Sequence, residues 1–161
     1  MILDKIAEYS SDAEKNGYAI GELQRRFGFE FDGMRNHEYY FEQFEGGASE
    51  LPADGKLASA IIESFGSIDA ALTRFKSIAM TRGIGWAILY YDETTKKLLN
   101  AWVDEQHLGH LTGLKVVVAL DMWEHSYMLD YVPSEKKKYV DAFFKNINGK
   151  KIEERFASYL S

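Results

Sequence analysis

A run of five apolar residues, Val116-Val117-Val118-Ala119-Leu120, ends on a carboxylate, Asp121, and His125 follows four residues later. A short unbroken apolar run of this kind reads as a buried strand. Asp121 therefore stands where a rigid element stops, among residues where an unpaired carboxylate is costly. Four-residue spacing stacks two side chains on one face of a helical turn. A carboxylate oxygen and an imidazole nitrogen converging in this way make two ligands for a divalent or trivalent transition metal. Trp123 and Tyr127 interleave with them, each an apolar wall with one polar handle. The same spacing also describes a surface hydrogen bond or a helix cap, so spacing alone leaves the choice open.

What surrounds this stretch narrows the class. A chain of 161 residues suits one domain, or two small lobes sharing one core. Its hydrophobic and aromatic contents, 46% and 14%, are those of a globular protein rather than a disordered one. There is no cysteine, which removes disulfides, thiolate metal sites and cysteine nucleophiles together. The net charge of -6 argues against nucleic acid or an acidic membrane as partner, and it gives no global attraction for an anionic substrate. Met1 to Glu8 form a charged amphipathic pattern rather than a signal peptide, and no apolar run approaches a membrane span. A soluble cytoplasmic protein is the expectation.

In chain order, residues 1 to 9 read as a helix that begins without a cap. A second helix is expected from about Asn16 to Phe27, with Tyr18, Leu23 and Phe27 facing a core, and Gly28 to Gly33 reads as a loop. A third helix, Asn36 to Phe44, is rich in aromatics and carries His37, which on this evidence alone reads as a core histidine with a satisfied hydrogen bond. Gly46 to Gly55 is a linker, dividing an N-terminal helical lobe (1–47) from a C-terminal lobe (55–161). Helices then run over Lys56 to Phe65 and Ile68 to Ala79. Strands follow at Gly83 to Tyr91 and Lys97 to Val103, joined by a polar turn, and the apolar run makes a third. Helices near 134–146 and 150–160 close the chain, the last with Ile152, Phe156 and Leu160 at helical spacing.

Asp121-Met122-Trp123-Glu124-His125-Ser126-Tyr127 closely resembles the D-x-W-E-H-x-Y signature of the manganese- and iron-dependent superoxide dismutases. Gly83-Ile84-Gly85-Trp86 is similar to the family's G-S-G-W strand entry, and Asn36-His37-Glu38-Tyr39-Tyr40-Phe41 to its N-H-x-x-F-F/W segment. The resemblance implies an α+β fold: a truncated N-terminal helical hairpin, then a three-stranded antiparallel sheet flanked by helices. It implies His37, Asp121 and His125 as metal ligands, with Trp86 and Trp123 walling the pocket. It gives Glu124 the role of reaching a ligand histidine in a neighbouring subunit of a homodimer. The loop Asp104-Glu105-Gln106-His107 resembles the segment from which some relatives hydrogen-bond the solvent on the metal. Gln106 is favoured for that role and His107 is the runner-up, since Gly33, the family's other position for this group, has no side chain to offer. The implied activity is disproportionation of superoxide to O2 and H2O2 by one-electron cycling of one manganese or iron ion per subunit, manganese slightly favoured.

The pattern departs from the family in two places. Relatives carry a further ligand His and a channel Tyr in a long N-terminal helix, and residues 1 to 9 resemble only the tail of that helix. Met128 stands where many relatives have a second Tyr. The alternative is therefore a non-catalytic or weakly active dimeric scaffold on the same fold.

Overall fold

The computed structural model describes residues 1–161. A short helix, α1 (Ile2–Tyr9), passes through one 3-10 turn into the long α2 (Ala13–Glu42). Asp12 begins α2, its carboxylate accepting from the Lys15 amide at 3.2 Å. The loop expected over Gly28 to Gly33 is absent, and the two helices expected on either side of it are one. The cause is tertiary. A Cβ at Gly33 would lie 3.3 Å from the Gln106 side chain, and one at Gly28 would lie 3.7 Å from the ring of His107. Gly33 lets a later loop lie close against the helix, whereas a Cβ at Gly28 would make only ordinary contact, and the helix absorbs a propensity cost of about 1 kcal/mol for each glycine. Tyr18 and Phe27, expected in a core, are 93% and 37% exposed. Leu160 is also exposed, at 42%, whereas Ile152 and Phe156 are buried as their spacing implies.

Helices α3 (Lys56–Phe65) and α4 (Ile68–Ala79) are divided by Gly66 at φ +86° and by Ser67, whose hydroxyl caps Ala70 N at 3.0 Å. Strands β1 (Gly85–Asp92), β2 (Lys97–Asp104) and β3 (Lys115–Asp121) form an antiparallel sheet in the order β2-β1-β3. Helices α5 (Lys136–Asn146) and α6 (Gly149–Ser158) complete the chain. The α+β architecture is the expected one. No helix is long and apolar enough to cross a membrane.

Side-chain alternation splits the sheet into two faces. Ala87, Leu89, Leu98, Val118 and Leu120 join the main core with Leu57, Phe75, Phe143 and Phe156 of the helices. Trp86, Ile88, Tyr90 and Ala119 point the other way, toward Tyr39 and Tyr40 of α2. Only one side of β3 pairs with a strand, so its outer edge needs other partners. Side chains supply them in sequence. Arg155 Nη1 donates to Val117 O at 3.0 Å, Gln43 Nε2 to Ala119 O at 2.6 Å and Tyr139 Oη to Asp121 O at 2.8 Å. The same Arg155 donates to Tyr39 O and Glu42 at 2.9 Å, tying α2 to the strand that ends in Asp121.

Candidate metal centre

That clamp sets α2 beside the end of β3 and so brings together residues 84 positions apart. Asp121, only 1% exposed, closes β3 opposite Trp86 of β1. One of its oxygens, Oδ1, accepts from Trp123 N at 2.9 Å. The other, Oδ2, faces two imidazole nitrogens: His125 Nε2 at 3.0 Å and His37 Nε2 at 3.5 Å. His125 sits on a single 3-10 turn (Glu124–Ser126), which serves the geometry that the sequence assigned to a helical turn. One donor atom from each of His37, Asp121 and His125 lies within 4.8 Å of the others.

The protonation of His37 follows from its other nitrogen. Nδ1 lies 2.6 Å from the carbonyl of Gly33, an acceptor only, so Nδ1 carries a proton. In the neutral ring Nε2 is then a bare lone pair facing a carboxylate oxygen. Two such groups repel unless a cation lies between them, either a second proton on the ring or a metal ion. A backbone carbonyl holding Nδ1–H is also the usual way of fixing a ligating imidazole. Two imidazoles and one carboxylate form a donor set that suits manganese or iron. The residues present therefore fit such an ion.

The competition between proton and metal predicts a pH response in the metal-free chain. Hydrogen bonding to Asp121 raises the His37 pKa above its ordinary 6.5; burial opposes this and the Gly33 carbonyl adds to it. A raised folded pKa contributes stability that is complete below the ordinary value and lost as pH climbs through the folded one. Metal uptake runs the other way, weakening by about tenfold per pH unit below the folded value. Melting of metal-free protein from about pH 5 to about pH 9 should show this loss above 6.5, and His37→Gln should remove that component. Identical pH profiles for the two proteins would contradict the His37–Asp121 pair.

Aromatic side chains flank the cluster, which stays open to solvent at His125. The Trp86 ring meets His37 edge-on at 5.0 Å and is fully buried, while Trp123 stacks on His125 at 5.9 Å. Trp123 Nε1 donates to Glu105 O at 3.1 Å. Trp86 Nε1 donates to Gln106 Oε1 at 2.8 Å, and Gln106 is buried against Gly33. His107 instead packs its ring against Gly28 and edge-on to Phe29, farther along α2. Glu124 is exposed and its side chain makes no hydrogen bond within the chain.

Sequence reasoning passed over Asn36, Tyr90, His110 and Tyr139. Asn36 donates to the Gln106 carbonyl at 3.0 Å, and Tyr90 and His110 are hydrogen-bonded at 2.6 Å. Burial lowers the His110 pKa and raises that of Tyr90 well above the usual phenol. The only local signal was the position of Asn36, directly before His37.

A family model for iron/manganese superoxide dismutases, C-terminal domain, matches residues 53–155, a span that holds Asp121, His125 and Gln106. The chain is 35% identical over 159 residues to the iron superoxide dismutase of Aquifex pyrophilus, an alignment covering 96% of this chain and 73% of that protein. The chain belongs to the iron/manganese superoxide dismutase family. Two further relatives bracket the metal. The iron superoxide dismutase of Cupriavidus metallidurans is 36% identical over 143 residues (88% of this chain, 70% of that protein). The manganese superoxide dismutase of Mycolicibacterium smegmatis is 32% identical over 161 residues (98% and 76%). Both metals thus occur by name among superoxide dismutases similar to this chain.

Proposed function

We propose that this chain is a superoxide dismutase acting through one manganese or iron ion held by His37, Asp121 and His125. Two superoxide radicals and two protons are taken to one O2 and one H2O2. The observation that carries the reading is the pair of imidazole Nε2 atoms converging on Asp121 Oδ2, with the proton of His37 fixed on its far nitrogen. When bound, the ion supplies the one-electron oxidation and reduction that no amino-acid side chain in this pocket can perform.

The chain's own residues do the rest. Asp121 brings the negative charge that favours the higher oxidation state, and the imidazoles tolerate both states. Trp86 and Trp123 wall the inner side of the site around the buried Asp121, while His125 stays half exposed on the side from which solvent and substrate arrive. Because Trp86 occupies Gln106 Oε1, the Gln106 amide is held in one orientation and its NH2 remains free to donate. In this reading that NH2 hydrogen-bonds solvent or a reduced substrate oxygen and so controls proton delivery, which is supported by its freedom from any partner within the chain. Glu124, unpaired within the chain, is free to reach a second copy, and the active form we propose is a homodimer.

A second reading, a fold-retaining scaffold with weak or no turnover, is favoured by one observation. Of the four histidines, only His37 and His125 belong to the cluster; His107 and His110 are engaged elsewhere. Elemental analysis of the purified protein, paired with a superoxide-consumption assay, separates the two. The dismutase reading expects close to one Mn or Fe per chain with activity that scales with metal content. A folded dimer with neither metal nor activity, even after reconstitution, would establish the scaffold.

A further inference from the structure

Gln106 is held at two points, and only the first, Trp86 on its side chain, belongs to the metal pocket. The second is its main-chain carbonyl, which receives Asn36 Nδ2 at 3.0 Å and His110 Nε2 at 3.2 Å. A carbonyl only accepts, so His110 Nε2 carries the proton in this contact. Its Nδ1 is then the acceptor for the Tyr90 hydroxyl, 2.6 Å away. With the proton on Nε2, the 3.3 Å approach of Asn36 Nδ2 to His110 Nε2 is that of two donors sharing one oxygen; the opposite tautomer would instead accept from Asn36 there. Tyr90 and Trp86 lie four residues apart on the same face of β1, and both are almost wholly buried. One strand therefore grips Gln106 twice: Trp86 directly, and Tyr90 through the imidazole of His110. Asn36, itself buried, ties the same carbonyl to α2 one residue before His37.

We propose that His110 is a positioning residue: with its proton on Nε2, it bridges the Tyr90 hydroxyl to the Gln106 carbonyl and so sets where the Gln106 carboxamide stands relative to His37. This rests on the reading of Gln106 as the donor in the metal pocket. The bridge has a physical requirement that few residues meet. It needs a rigid group that donates at one end and accepts at the other, across the gap between a sheet hydroxyl and a loop carbonyl. Loss of the imidazole takes from the nearly buried Tyr90 its hydrogen-bond acceptor and leaves the Gln106 carbonyl held by Asn36 Nδ2 alone. The loop then shifts and the Trp86–Gln106 hydrogen bond weakens with it. Spread over Gly33, Gln106 and Trp86, a displacement of this kind acts on proton delivery without touching a ligand.

The test uses the full-length chain, first metal-free and isotopically labelled. Nitrogen-15 spectra of the imidazoles should show His110 as the Nε2–H tautomer, with Tyr90→Phe moving its Nδ1 resonance. Hydrogen exchange at the Trp86 indole reports the clamp directly. His110→Leu should speed that exchange by about tenfold, the equilibrium equivalent of one lost hydrogen bond. Gln106→Ala, which removes the acceptor itself, sets the upper limit. His110→Gln, able to donate to the same carbonyl, should recover part of the protection. If His110→Leu does not fold, Tyr90→Phe and His110→Gln carry the same comparison through milder changes. In metal-loaded protein, His110→Leu should move the pH profile of superoxide consumption in the same direction as Gln106→Ala. An Nδ1–H tautomer would overturn the proposal. So would Trp86 exchange that is unchanged in the His110 variants while Gln106→Ala accelerates it. If instead Gln106→Ala leaves the loaded enzyme's activity and pH profile intact, the reading of Gln106 fails, and the exchange data still decide whether His110 positions it.

Discussion

Asp121→Asn is expected to strip the chain of its metal and leave it folded. Asparagine keeps the shape of the side chain, and its oxygen can still accept from Trp123 N, the contact that starts the turn carrying His125. What it loses is the anionic oxygen on which both imidazoles converge. Removing groups that merely orient a ligand costs about 10- to 100-fold in metal affinity, so removing the charged ligand itself should cost at least the upper end of that range. Its NH2 would point at the His37 Nε2 lone pair and can hydrogen-bond it, so the apo form keeps a satisfied pocket. His37 would lose the partner that raises its pKa, and the acid-side stability described above should vanish with it. Metal titration should therefore find Mn or Fe binding weaker by about 100-fold or more than in the wild type, with activity following occupancy. Melting near neutral pH should change little. A variant that purifies with stoichiometric Mn or Fe would remove Asp121 from the ligand set.

The two halves of this site differ in how much of them the sequence displayed. Asp121 and His125 were legible because they share one short segment, and the apolar run before them says where the strand ends. His37 was not legible on its own, since a histidine in an aromatic helix has a commonplace structural explanation. Only the packing of α2 against β3, arranged by Arg155 and Gln43, makes it face Asp121. The helices over 56–65 and 68–79 were legible to the residue because Gly66 and Ser67 are local stop and start signals. The same local logic misread Gly28 and Gly33 as a loop, since nothing near them in sequence announces that Gln106 and His107 will press on that face. Choosing between Gln106 and His107 is a further case. Adjacent residues in a loop look alike in sequence, and only three-dimensional packing sends one toward Trp86 and the other toward Phe29. The Tyr90–His110–Asn36 network joins residues 54 or more positions apart at its ends and leaves no periodic trace at all.

Gly85→Ala is expected to be the most damaging single methyl in the sheet. Gly85 opens β1 opposite Asp104 and sits at φ +156°. A Cβ there would fall 2.1 Å from the carbonyl oxygen of Val103 and 3.1 Å from the Trp102 ring. The oxygen belongs to the neighbouring strand, whose ladder to β1 leaves it little freedom to retreat. Gly85 cannot retreat either, because its own carbonyl accepts from Met122 N at 2.8 Å on the opposite side. Relief therefore requires opening the sheet between Trp86 and the loop that carries Gln106, with Asp121 on the other flank. Overpacking of this severity should cost about 3 kcal/mol or more, which in a chain of this size lowers Tm by roughly 6 to 12 °C. Gly47→Ala is the matched control. Gly47 also has a positive φ, +83°, but its Cβ would enter open space, so it should lose only about 1 to 2 kcal/mol from backbone strain. Thermal and denaturant melts of the two variants isolate the close approach from the conformational effect. Because the sheet must part beside Trp86, Gly85→Ala should also speed Trp86 indole exchange and lower metal content, effects that Gly47→Ala should not produce. Equal losses in the two variants would mean that β2 yields to the methyl, and that the entry to β1 is not what holds Gln106 against the metal pocket.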